Sequence, residues 1–151
     1  MITWQLLPFS ALTALQFHQL LQLRLDVFVV EQNCPYPELD GKDPLAGVHH
    51  LMGFKDGELI ACARLLAAGI SYDNVSIGRI ATKQSMRGSG LGHELLTQAL
   101  QSCEALWANQ TIDISAQEHL AAFYQGYGFK TISDMYLEDD IPHITMRLTK
   151  P

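Results

Sequence analysis

A mixed α/β sheet with helices on its faces is the fold class the sequence predicts. Three observations carry it. Asp56-Gly57 separates two apolar runs, HHLMGF and ELIACARLL, and is a strong hairpin signal. Over 91–106, Leu91, Leu95, Leu96, Ala99, Leu100, Cys103 and Leu106 recur at helical spacing and form one apolar stripe. That helix lies between strand patterns at 75–82 and 111–117, so the unit should be a right-handed parallel crossover.

The elements follow in order. ITWQLL (2–7) alternates well enough for a first strand, which Pro8 ends. Ser10 is the expected cap of a helix with apolar positions Leu12, Leu15, Leu20, Leu21 and Leu23. The helix should run to about Val30 with at most one break, although VFVV (27–30) would suit a strand in isolation. Residues 33–47 hold Pro35, Pro37, Gly41, Pro44 and Gly47 and form a loop, long for a compact domain and of the kind that carries function. Strands 49–54 and 58–66 flank Asp56-Gly57, and a short loop at 69–74 leads to strand 75–82. Beyond strand 111–117, a short helix at 118–129 should end on a left-handed Gly128. Strand patterns at 130–137 and 143–149 bracket the acidic turn Glu138-Asp139-Asp140. The order is β-α-β-β-β-α-β-α-β-β over residues 1–151, which suits one domain of about 100–150 residues.

Composition narrows the function classes. Sixteen acidic and 10 basic side chains give a formal net charge of −6, and 48% of residues are apolar. The apolar share is too high for disorder. The negative balance argues against a general nucleic-acid binder, which carries a basic face. Only 17% of residues are charged, below the usual ~25%. That leaves neutral surface for a ligand or a homodimer face. The charges are clustered: Arg79, Lys83 and Arg87 fall within nine residues, while 31–43 holds Glu31, Glu38, Asp40 and Asp43 against Lys42. Cys34, Cys62 and Cys103 are odd in number, far apart and free of any C-x-x-C, so neither a disulfide framework nor a cysteine zinc site is expected. The N-terminal run lacks a basic n-region, and no stretch reaches the ~18 apolar residues of a membrane span. The chain reads as soluble and cytoplasmic.

Arg87-Gly88-Ser89-Gly90-Leu91-Gly92 joins a strand to the strongest helix. Glycines there let the backbone approach a ligand, and the free amides and dipole of a helix start favour a phosphate. The Walker spelling fails because no Lys-Ser/Thr pair follows these glycines, and the dinucleotide spelling G-x-G-x-x-G fails at His93. What remains is R-x-x-G-x-G: Arg87, Gly90 and Gly92.

That loop, between strand and helix, resembles the acyl-CoA loop of the GNAT superfamily of N-acetyltransferases. Tyr124, Gly128 and Phe129 match the Y-x-x-x-G-F pattern common in the same family, and the element order matches its fold. LRLDVFVVEQNCPY (23–36), IGR (77–79), FYQGYGF (123–129) and EDDIPHITM (138–146) resemble the ElaA-type group more narrowly. The resemblance implies acetyl-CoA, or another acyl-CoA, as donor; no metal is expected, because the histidine spacings do not suit a metal triad. It implies that Arg87, Gly88, Ser89, Gly90, Leu91 and Gly92 wrap the pyrophosphate. It also implies that the strand before the loop splays from its neighbour, with Ile80, Ala81 and Thr82 along the pantetheine arm. Tyr124 matches the tyrosine that protonates the departing sulfur. Gln117 stands where many members have Asn.

Direct transfer needs a neutral amine, but a primary alkylamine has a pKa near 10.4, so a base must take a proton. Glu31, before the long loop, and His143, at the start of the last strand, are the candidate bases. His49 and His50 are adjacent on a strand and face opposite sides. Arg24 with Phe28 resembles an element of acyl-homoserine-lactone synthases, or Arg24 anchors the acidic loop by a salt bridge. The acidic segment 31–43 suits a cationic amine by charge complementarity. The expected activity is transfer of an acetyl group from acetyl-CoA to a primary amine. Two alternatives are a non-catalytic acyl-CoA-binding module and a homoserine-lactone-type synthase.

Overall fold

The computed structural model describes residues 1–150. Its strands are β1 (Thr3–Pro8), β2 (Val48–Lys55), β3 (Glu58–Leu66), β4 (Val75–Thr82), β5 (Ile112–Gln117), β6 (Lys130–Thr131), β7 (Tyr136–Glu138) and β8 (Ile141–Leu148). The α-helices are α1 (Ala14–Leu25), α2 (Leu91–Leu106) and α3 (Ala121–Gln125). One sheet has the order β1-β2-β3-β4-β5-β8-β6, and β7 also pairs with β8. The pairings are antiparallel except for β4 with β5, the crossover that α2 spans. Among the described residues, no helix is long and apolar enough to cross a membrane.

Local chemistry explains most boundaries. Asp56 and Gly57 take φ of 51° and 80°, the left-handed pair that a two-residue hairpin turn requires. Asp139 and Asp140, at 50° and 63°, turn β7 into β8 in the same way without a glycine. Gly128 is left-handed at φ 99°, as expected after a helix. The helix before it is shorter than expected: a 3₁₀ turn, Glu118–Leu120, leads into the five-residue α3. The expected strand at 130–137 is two short strands, so the sheet has one strand more than the sequence order implies.

The first helix departs from expectation at its start, while its end near Val30, after one break, is as expected. Thr13 caps it rather than Ser10. The Thr13 hydroxyl accepts the Gln16 N–H at 3.0 Å, and the Gln16 side chain accepts the Thr13 N–H at 2.9 Å. This reciprocal box satisfies two donors, whereas Ser10 lies within a 3₁₀ turn, Phe9–Ala11. Leu20 and Leu23 are buried, while Leu15 points to solvent. At Leu25 the α-helix widens into a π-helix, Asp26–Glu31. The shifted phase keeps Val27 in the core and turns Phe28 and Gln32 toward a cavity.

Strand alternation sorts the two faces of the sheet. On one face Leu65, Ile77, Ile112, Ile114, Ile144 and Met146 pack against Leu91, Leu95, Leu96, Ala99 and Cys103 of α2. On the other, Leu20, Leu23 and Val27 cover Met52, Leu59, Cys62 and Ala81. α1 therefore roofs the β2–β4 half of this second face. The β5–β8 half carries Asp113, Ser115 and Gln117 opposite Arg147, Thr145 and His143. This polar floor lies beneath loops instead of a helix.

β4 and β5 share two Cα pairs, Val75 with Ile112 and Ser76 with Asp113. β4 then follows β3 as far as Thr82 and leaves β5 behind. A register shift between Cys62 and Arg64 and a left-handed Arg79, φ 50°, bend β4 at this fork.

Candidate active site

The fork opens into a cavity of about 550 Å³, lined by Gly78 and Ile80 of β4, Ser115 and Gln117 of β5, Tyr124 of α3 and His143 of β8. Lys83 N–H bonds the Ile60 carbonyl at 2.8 Å, so alternation along β4 turns the backbone groups of Ile80 and Thr82 away from β3 and into the gap. Arg87 Nη2 already donates to the Thr82 carbonyl at 2.7 Å.

The glycine turn follows the end of β4 and leads into α2. Gly88 and Gly90 have φ of 94° and 85°, and Gly90 is the N-cap of α2. The first intrahelical bond runs from Glu94 N–H to the Gly90 carbonyl at 3.0 Å, so the amides of Leu91, Gly92 and His93 precede it. Free amides at a helix start are a favourable setting for an anion. Arg87 is fixed beside them. Its Nη1 and Nη2 donate to Glu31 at 2.6 and 2.9 Å, and its Nε donates to Thr82 Oγ1 at 3.0 Å.

Tyr124 is buried between Phe123 and Phe129, with ring centroids 5.2 and 6.0 Å away in edge-on packing. Burial pushes its phenol up to about 12, so it holds its proton at neutral pH. His143 stacks on Tyr136, and its Nδ1 donates to the Ile141 carbonyl at 2.7 Å. Its Nε2 faces a Glu138 carboxylate oxygen at 3.3 Å. Glu31 is elsewhere: its carboxylate is engaged by Arg87, away from the residues lining the cavity. His50 bonds the Asp43 carbonyl at 3.1 Å and His49 packs on Trp107, so neither lines the cavity.

Both charge clusters read from the sequence dissolve in three dimensions. The basic segment is divided: Arg79 bonds Glu38 at 2.6 Å, Lys83 bonds Glu58 at 2.7 Å, and Arg87 bonds Glu31. The acidic loop is neutralised from beneath. Arg24 reaches Glu38 at 2.7 Å and Asp43 at 2.8 Å, while Arg64 reaches Asp40 at 2.7 Å and Asp43 at 3.1 Å. Three guanidinium groups thus meet three carboxylates, and the loop offers no free anionic face to a cationic amine. Arg24 does anchor the loop by salt bridges. Arg64 and Arg79 were not read as its partners. A lone arginine inside ELIACARLL was the available signal, since a charge in a buried strand needs a partner.

Burial alone would raise Asp40 and Asp43, but hydrogen bonds and charge from the arginines hold both carboxyls well below the ordinary value. Their contribution is therefore full above an unfolded aspartate pKa of about 3.9 and fades as pH falls through the folded values. Urea unfolding should show stability dropping progressively below about pH 4. Asp43→Asn should be weaker at pH 7 and show a shallower acid decline.

The sheet, with a parallel seam that opens beside a glycine-capped helix, is of the acyl-CoA N-acyltransferase class. The chain belongs to the GNAT family: the model for the acetyltransferase (GNAT) domain matches residues 44–150. Within that family it groups with ElaA. Protein ElaA of Escherichia coli strain K12 is 43% identical over 146 residues, 97% of this chain and 95% of ElaA. The crystal structure of Escherichia coli ElaA aligns with a TM-score of 0.92 at 42% identity, covering 97% of this chain and 99% of that one. An acyl-CoA N-acyltransferase from Pseudomonas aeruginosa aligns with a TM-score of 0.94 at 48% identity, again over 97% and 99%.

Proposed function

We propose that the protein transfers an acetyl group from acetyl-CoA to a primary amine. The observation that supports this best is the open edge of β4, which leads into the glycine turn at Arg87 and lines one cavity with the buried Tyr124. The helix start of α2 takes the pyrophosphate, and the Ile80 and Thr82 backbone groups take the amide-bearing arm. The amine nitrogen attacks the thioester carbonyl, and the N–C bond forms as the C–S bond breaks. Backbone N–H groups of the open strand stabilise the oxyanion.

His143 is the base in this scheme. Donation from Nδ1 to the Ile141 carbonyl fixes the tautomer and leaves Nε2 to accept the amine proton, with Glu138 stabilising the imidazolium. Tyr124 gives its proton to the sulfur, whose thiol has a pKa of about 8.5. Two protons leave the nitrogen. The first passes from the ammonium through His143 to solvent before attack. The second, taken by His143 after attack, returns to the phenolate through solvent, so each transfer releases one net proton.

A thiol-release screen of amines with acetyl-CoA tests the activity. Release that depends on an amine supports it, whereas tight acetyl-CoA binding without turnover across the panel makes the protein a binding module. Arg87→Glu should raise the KM for acetyl-CoA by about 10-fold or more, the worth of a lost charge-assisted contact. Unchanged donor affinity in that variant removes the phosphate-loop assignment.

A further inference from the structure

The deep end of the cavity, away from Tyr124, has donors with nothing to donate to. Ser76 Oγ and Arg64 Nε are buried side-chain atoms without a hydrogen-bond partner, and both residues line the cavity. Ser76 is 2% exposed and Arg64 4%. They belong to one patch. Leu66 pairs with Ser76 and Arg64 with Gly78, so all four residues face the same side of adjacent strands. A Cβ built on Gly78 would meet nothing within 4 Å, which leaves open space beside the two donors.

Lys42 completes the patch. Its Nζ donates to Ser71 Oγ at 2.8 Å, and both residues line the same cavity. Among the described residues, Lys42, Lys55 and Lys130 are the cations that meet no carboxylate within 4.0 Å, and Lys42 alone of these lines the cavity. The charge of Arg64 is already balanced by Asp40 and Asp43. The patch therefore offers one uncompensated positive charge and two idle donors. Asp40, which Arg64 holds, also lines the cavity, as do Glu138, Asp139 and His143.

We infer that the patch of Lys42, Arg64, Ser76 and Gly78 seats a carboxylate, and that the acceptor is an amine bearing that carboxylate, an amino acid. This rests on the acyltransferase reading and specifies its second substrate. An unsatisfied buried donor is costly, so a ligand supplying an acceptor oxygen there gains what water-exposed donors would not give. One net positive charge matches a monoanion better than a phosphate, which carries about −1.5 to −2 at neutral pH. With the carboxylate seated, the amine end lies toward His143 and Glu138, where the scheme above places the base.

The test presents acetyl-CoA with the common amino acids, each beside its decarboxylated amine and its α-amide. At least one amino acid should exceed both analogues in kcat/KM by about tenfold or more. Lys42→Gln and Ser76→Ala should each shrink that preference, with the KM for acetyl-CoA reporting that the fold is intact. An amine or amide preferred in every pair overturns the inference, as does a preference that both variants leave unaltered. If nothing releases CoA, the acyltransferase reading fails, and the seat is judged by binding. Acetate and amino acids should then raise the Tm of the wild-type protein more than that of either variant. Equal shifts, or none, overturn the seat as well.

Discussion

Tyr124→Phe should lower kcat with acetyl-CoA by about 10²–10⁴, the range of general-acid contributions, while changing the KM for acetyl-CoA little. The ring's edge-on contacts with Phe123 and Phe129 do not involve the hydroxyl, so the packing persists. Burial pushes the phenol up to about 12, so it keeps its proton at neutral pH. A second measurement separates this role from packing. Acyl donors with a more acidic thiol leave without help, so the gap between wild type and variant should narrow as thiol pKa falls. An equal loss for all donors would point to misplaced substrate, and no loss at all would remove the acid assignment.

Arg24→Met should destabilise the fold by about 3–5 kcal/mol, a large share of a typical stability of about 5–15 kcal/mol. Arg24 is 1% exposed and is shared between Glu38 and Asp43, both also buried. Its removal leaves Arg79 and Arg64 to hold two carboxylates that no longer face a full complement of charge. Burial tends to lower the Arg24 pKa, but the Asp43 hydrogen bond and the Glu38 charge raise it further, so the guanidinium stays ionised. Urea unfolding followed by Trp fluorescence reads the loss, and proteolysis at 33–43 should become faster than elsewhere. A loss under about 1 kcal/mol would mean that Arg64 and Arg79 hold the loop unaided.

What could be read from the sequence was what local chemistry decides. The hairpin at Asp56-Gly57, the stripe of α2 and the left-handed Gly128 each depend on residues a few positions apart. The glycine turn was legible for the same reason. The fork between β4 and β5 depends on register against β3 and on the left-handed Arg79, and nothing in VSIGRIAT spells either. The basic segment misled because neighbours in sequence point to different partners: Arg79 to Glu38, Lys83 to Glu58, Arg87 to Glu31. Ser10 misled because a single hydroxyl loses to the reciprocal pair of Thr13 and Gln16. Ser76 and Arg64 gave no sign as a pair, since their adjacency comes from antiparallel pairing.

Because β4 parts from β5 after Ser76, the sheet has an edge in its interior as well as at its rim. Bare edges invite strand addition from other chains and lead to aggregation. Here the vulnerable backbone is shielded on one face by α2 and on the other by the loop that Arg24, Arg64 and Arg79 tie down. The guanidinium network therefore guards colloidal behaviour as well as shape. Loosening the loop would uncover a strand that a second molecule can pair with, so variants of Arg24 should become turbid at concentrations the parent chain tolerates.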